Sequence, residues 1–170
     1  MAVPAEADAA TARLAYRRGL PDVAVDALVS AFTRYRTDPW PGQPPMGRGL
    51  ALAREIAAAN PETAPRLYDA LTLPFSVRAL EQERLFSRVL VARSGALWEQ
   101  CRDAMAVLEK NVPWRPEMLR ARADCYQRAG DSRAKQAAAD LQEFLEADLS
   151  APPPSPAASP AASAPSPPPP

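Results

Sequence analysis

Proline and glycine punctuate this chain at Gly19–Pro21, Pro39–Gly49, Pro61–Pro65, Pro74, Gly95, Pro113–Pro116 and Gly130. No segment between them exceeds a helix of about six turns. The intervening residues are dominated by Ala, Leu, Arg, Glu and Gln, all good helix formers. Alternating β-branched and aromatic runs, the mark of strands, do not occur. Length and composition together therefore imply an all-α chain of short helices.

The spacing of apolar residues places eight of them. The first covers Ala9–Arg18 and ends at Gly19. The second begins at Pro21 and runs to Arg36, because Val25, Leu28, Val29, Phe32 and Tyr35 recur on one helical face. "TDPWPGQPPMGRG" (Thr37–Gly49) reads as a long loop. The third helix covers Arg48–Ala59 and turns Leu52, Ile56 and Ala59 inward. Asn60 then caps a fourth, which starts near Pro65 and buries Leu67, Tyr68 and Leu71. The fifth covers Ser76–Arg93, with Leu85, Phe86, Val89 and Leu90 as its stripe. The sixth covers Ala96–Lys110, with Leu97, Cys101, Ala104, Met105 and Leu108. The seventh covers Pro116–Ala129. The eighth covers Ser132–Leu149, with Ala134, Ala138, Leu141 and Leu145.

The folded domain is expected over residues 8–149, after a flexible segment 1–7. Residues 150–170 form a tail rich in Pro, Ala and Ser, with too little to bury to offset its ordering entropy. About 150 residues can bury roughly 70% of their unfolded surface, enough for a core.

Charge and composition exclude several functions. Lys+Arg and Asp+Glu both number 20, so no net field favours nucleic acid or an anionic membrane. No apolar run reaches the roughly 20 residues of a membrane helix, and the N-terminus lacks the apolar core of a signal peptide. A cytoplasmic protein is expected. All the basic residues but Lys110 and Lys135 are Arg. That bias suits carboxylate recognition, though it also fits GC-rich coding. The absence of His removes the commonest general base and metal ligand. No phosphate loop and no nucleophile motif occurs. Glu55, Glu99 and Asp103 read as isolated surface carboxylates. The expectation is no enzyme, no cofactor and no metal. Cys101 and Cys125 match no zinc or redox spacing and read as buried free thiols. Trp40 and Trp114 stand in Pro-rich connectors, where they would cover the ends of a helical core.

Gly95 and Gly130 lie 35 residues apart, each between two helices. "YQRAGDSRA" (Tyr126–Ala134) has an aromatic four residues before the glycine, an acid after it and an early alanine. "AYRRGLPDVAVDALVSA" (Ala15–Ala31) and "VARSGALWEQCRDAMAVL" (Val91–Leu108) are partial copies. Here the chain resembles the tetratricopeptide repeat family, across about two-thirds of its length. It departs in the Gly19–Gly95 interval, 76 residues, and in a middle hairpin without a turn glycine. The resemblance implies a superhelical stack of antiparallel helical hairpins whose first helices line a peptide-binding groove. Its groove positions fall on Arg13, Tyr16, Arg17, Arg93, Arg120, Asp124, Gln127 and Arg128. Most are cationic, so the implied partner is a protein or peptide segment with acidic character, bound in a scaffold or adaptor role. A second resemblance lies in "RLYDALTLPFSVRALEQERLFSRVLVAR", which is loosely similar to helical extensions of bacterial membrane spermidine-synthase-like proteins. It implies a structural or regulatory C-terminal module without activity of its own. Neither resemblance sets an oligomeric state.

Overall fold

The computed structural model describes residues 4–38 and 42–150. Among them all regular structure is helical: α1 Pro4–Arg17, α2 Pro21–Thr37, α3 Gln43–Ala59, α4 Ala64–Ala70, α5 Glu81–Ser94, α6 Trp98–Leu108, α7 Pro116–Arg128 and α8 Ala134–Ser150. Short 3-10 turns occupy Pro61–Thr63, Arg78–Leu80 and Glu109–Asn111. The tail beyond Ser150 and Trp40 lie outside the described residues.

The expected helices are present, with shifted ends. α1 starts at Pro4, inside the segment expected to be flexible. The expected loop over Thr37–Gly49 is largely helix: α2 reaches Thr37, and α3 begins at Gln43 and runs through "QPPMGRG". Pro44 and Pro45 fall in the first turn of α3. The N–H groups there have no acceptor inside the helix, so proline loses nothing. Met46, Gly49 and Leu50 are buried, and this packing holds the segment helical. α5 starts five residues later than its apolar pattern suggests. Ser76 is held elsewhere: its N–H and hydroxyl both donate to the Tyr35 carbonyl, at 3.0 and 2.9 Å. Asn60 makes no side-chain cap; its amide donates instead to the Ile56 carbonyl.

Three hairpins, α1/α2, α5/α6 and α7/α8, share one kind of turn. The N–H of Leu20 donates to Ala15, that of Leu97 to Ala92 and that of Asp131 to Tyr126, each bond spanning five residues. The residue before each donor is left-handed: Gly19 at φ 72°, Ala96 at φ 53° and Gly130 at φ 66°. This is the helix-ending motif in which a left-handed residue satisfies the last carbonyls. Gly95 lies at its expected bend, but its neighbour Ala96 adopts the left-handed conformation. A Cβ on Gly95 would overlap that of Ala64 at the start of α4, so glycine is required for close approach. Counted from left-handed residue to left-handed residue, the last two turns are 130 − 96 = 34 residues apart.

α3 and α4 lie between the first of these hairpins and the second, and the second packs on the third. α1 meets α3, α3 meets α5, α5 meets α7, and α2 meets α4. The core between them is contiguous and alanine-lined, with Leu28, Phe32, Tyr35, Leu50, Ile56, Leu67, Met105 and Tyr126 fully enclosed. Phe75 closes it, edge-on to Tyr35 with ring centroids 5.9 Å apart. Two expected inward positions face out: Ala59 and Ala138 are exposed. In α8 Ala134, Leu141 and Leu145 are partly buried as expected, and Ala137 takes the buried place expected for Ala138.

The cysteines are the largest correction. Cys101 of α6 and Cys125 of α7 are not free thiols but a disulfide, with Cα atoms 5.4 Å apart. Each follows the apolar face of its own helix. The packing of α6 on α7 brings the two faces together, and sequence spacing does not report that.

Candidate functional site: the cleft between α1 and α3

α1 and α3 flank a cleft of about 510 Å³. Small residues, Ala9, Ala10, Gly49 and Ala51, make up much of its lining, with Leu52 beside them. Small side chains let a ligand backbone come close. The walls carry four charges: Glu6 and Arg13 from α1, Arg48 and Glu55 from α3. On each helix the lining residues recur every three or four positions, which places them on one face.

None of these four side chains forms an ion pair or a hydrogen bond among the described residues. Elsewhere on the surface Arg34 pairs with Asp8, Arg54 with Glu83 and Arg66 with Asp26, while Arg17, Arg78, Arg115 and Arg120 are, like the cleft charges, in no ion pair among the described residues. Glu6 reaches the start of α3, and a Cβ on Gly42 would fall 2.5 Å from its Oε1. The N-terminal end of α3 favours a carboxylate there. The Tyr35 hydroxyl, within electrostatic reach of Glu6 and Arg48, is enclosed and has no hydrogen-bond partner among the described residues. Burial, then the Glu6 carboxylate, push its pKa up to about 12, against the opposing charge of Arg48. It is a neutral phenol at physiological pH.

The expected groove residues are only partly brought together. Arg13 lies in the cleft. Tyr16 is half-buried against the core, and Arg17 is exposed in the last turn of α1. Arg93 and Asp124 pair with each other across α5 and α7, Nη2 to Oδ2 at 2.6 Å, and so satisfy one another. Arg128 lies over the Trp98 ring, 5.7 Å from its centroid. Arg120 and Gln127 are exposed on α7, away from the cleft. Glu6, Arg48 and Glu55 were not among the expected site residues, and Glu55 reads from sequence as an isolated carboxylate. Their common feature is a charge beside small residues on a helix face. Only the contact of α1 with α3 makes that feature a site.

A second, shallower groove of about 450 Å³ lies between α5 and α6, lined by Arg78, Glu81, Leu85 and Val107. No group of three or more His, Cys, Asp or Glu side chains among the described residues is arranged to hold a metal ion. No described helix is long and apolar enough to cross a membrane. Comparison with family models, with characterised proteins and with solved structures finds no match to this chain.

Proposed function

We propose that the chain is a non-enzymatic interaction module: a stack of antiparallel helical hairpins, similar to tetratricopeptide arrays, that binds an extended segment of a partner protein between α1 and α3. The observation that carries this reading is the α1–α3 cleft, lined largely by small residues, with two unpaired guanidiniums on its walls. Unpaired arginines beside an approachable lining suit a peptide through charge-assisted hydrogen bonds. Three features support the hairpin stack. They are the recurring left-handed turn, the 34-residue interval between Ala96 and Gly130, and the succession of contacts from α1 through α3 and α5 to α7. The Cys101–Cys125 bond supports maturation in an oxidising compartment, where such bonds form and persist. The cytoplasmic expectation, drawn from the lack of a signal-peptide core and of a membrane helix, is the alternative to that reading.

The test is a photo-crosslinking amino acid placed at Ala10, inside the cleft, or at Val107, in the α5–α6 groove, in cells that produce the chain. Discrete adducts from position 10 and none from position 107 are expected. Adducts from neither position, or the same set from both, would remove the cleft as the binding surface.

A further inference from the structure

The cleft walls carry a charge order as well as a charge. Glu6 lies against the residue preceding α3, so α1 and α3 begin side by side. With a rise of about 1.5 Å per residue, the wall charges then follow the sequence Glu6, Arg48, Arg13, Glu55, in steps of about 5 Å. The two cations are central and a carboxylate closes each end. The total is zero, so the cleft is not a generic acceptor of acidic segments. A run of acids would set its outer members against Glu6 and Glu55, and like charges brought together in this way oppose binding.

We propose that the ligand is an extended peptide segment with one acidic residue flanked by basic residues two positions away on either side. An extended chain advances about 3.3 Å per residue and turns alternate side chains to the same face. An acid centred between Arg13 and Arg48 would therefore hold its i−2 and i+2 neighbours about 6.6 Å to each side, where Glu6 and Glu55 accept from Lys or Arg. The intervening side chains face away, and the peptide backbone lies on Ala9, Ala10 and Gly49. The recognition pattern is base-x-acid-x-base. This inference rests on the cleft being the binding surface and adds what it reads.

A display library of random dodecapeptides, selected on the full disulfide-bonded chain, tests it, with affinities of the selected peptides then measured by fluorescence anisotropy. The expected outcome is enrichment of the base-x-acid-x-base core. Binding of such peptides should become about tenfold weaker or worse with Arg13→Ala/Arg48→Ala, the loss of charge-assisted bonds. Glu55→Lys should shift the preference at one flank from base to acid, a reversal that general destabilisation would not produce. Enrichment of acidic runs would overturn the charge order. So would core-bearing peptides that bind the double arginine variant as tightly as the parent. In either case the crosslinking at position 10 still stands as its own result. A selection that enriches nothing overturns the inference too, and the crosslinking then decides separately whether the cleft takes a folded surface.

Discussion

The first and last hairpins close with the same turn, yet they are held together differently. In α1/α2 the seam is apolar. α2 buries Ala24, Val25, Leu28, Ala31, Phe32 and Tyr35, and α1 presents Ala5, Ala12 and Ala15 to it. Its polar contacts, Ser30 and Arg34 on Asp8, lie at the rim. In α7/α8, among the residues whose burial is described, Ala137 alone of the second helix is fully buried. There a polar network replaces the missing apolar area. Arg122, nearly enclosed, pairs with Glu109 and with Asp140 of α8, and the Tyr126 hydroxyl donates to Glu109 at 2.5 Å. Trp114 adds an edge-on contact with Phe144, ring centroids 6.3 Å apart. The disulfide then ties α7 to α6. α2, which packs on α1, α3 and α4, is held by burial; α8, packed chiefly on α7, is held by directional bonds, and the disulfide in turn ties α7 to α6.

The sharpest way to break this contrast is to remove the tie. A bond closing 24 residues restricts the unfolded chain enough to contribute about 3 kcal/mol. Cys101→Ala/Cys125→Ala should lower the urea midpoint accordingly, and dithiothreitol should do the same to the parent and nothing to the variant. Hydrogen exchange should accelerate in α7 and α8 well before α1 and α2. Under denaturing conditions without reductant, the parent should take up no maleimide. Two labelled cysteines in protein recovered from its own cell would refute the bond, and with it the oxidising compartment.

Next in size is the Arg122 network. Arg122→Met removes the cation and leaves Glu109 and Asp140, both partly solvated, without their partner. The cost should be about 2 kcal/mol, below that of breaking a fully buried pair. The pH dependence follows from the carboxyls. Burial alone would raise the Glu109 pKa, but hydrogen bonds from Arg122 and Tyr126 outweigh it and hold it below its ordinary value. Asp140 is held low chiefly by its bond from Arg122. Groups depressed by folding contribute stability that is present above their unfolded values, about 4, and lost as pH falls through the lower folded values. Thermal melts from pH 7 to pH 2 should therefore drop below pH 4 in the parent, and less steeply in Arg122→Met. Equal slopes would remove the network from the account of why α8 stays docked.

Much of this architecture was legible in sequence. The apolar spacing in α2 and the glycines at 19 and 130 marked helices and turns, because both signals are local: periodicity sets a face, and a left-handed residue favours glycine. The misreadings share a cause. "QPPMGRG" looks like loop until Met46, Gly49 and Leu50 are seen to have a core to enter. The cysteines look unrelated until α6 lies on α7. That Arg93 and Asp124, 31 residues apart, pair with each other is likewise unseen along the sequence. Arg13 was visible as a candidate, whereas Arg48 and Glu55 were not, since no spacing within one helix signals a cleft made by two. What neighbouring helices supply to one another is what a single chain read along its length omits.

The smallest test concerns the α5/α6 hairpin, whose left-handed turn residue is Ala96 and not a glycine. At Gly95 the backbone is ordinary, but the space is filled by Ala64. At Ala96 the space is not the constraint; the backbone is left-handed. Moving a methyl group between adjacent positions therefore separates two reasons for glycine. Gly95→Ala forces α5/α6 away from α4 and should cost about 1–3 kcal/mol, as overpacked sites do. Ala96→Gly relieves a left-handed alanine worth about 1 kcal/mol, less the entropy glycine adds to the unfolded chain, so a gain under about 1 kcal/mol is expected. In the double variant Gly95→Ala/Ala96→Gly the turn gains the residue its φ prefers, while the clash with Ala64 persists, so it should remain less stable than the parent. Gly95→Ala/Ala64→Gly should recover much of the loss, since the second change vacates the space. Equal midpoints for Gly95→Ala and the parent would mean that α4 yields freely, and that the short middle helix is the loosest joint between the two ends.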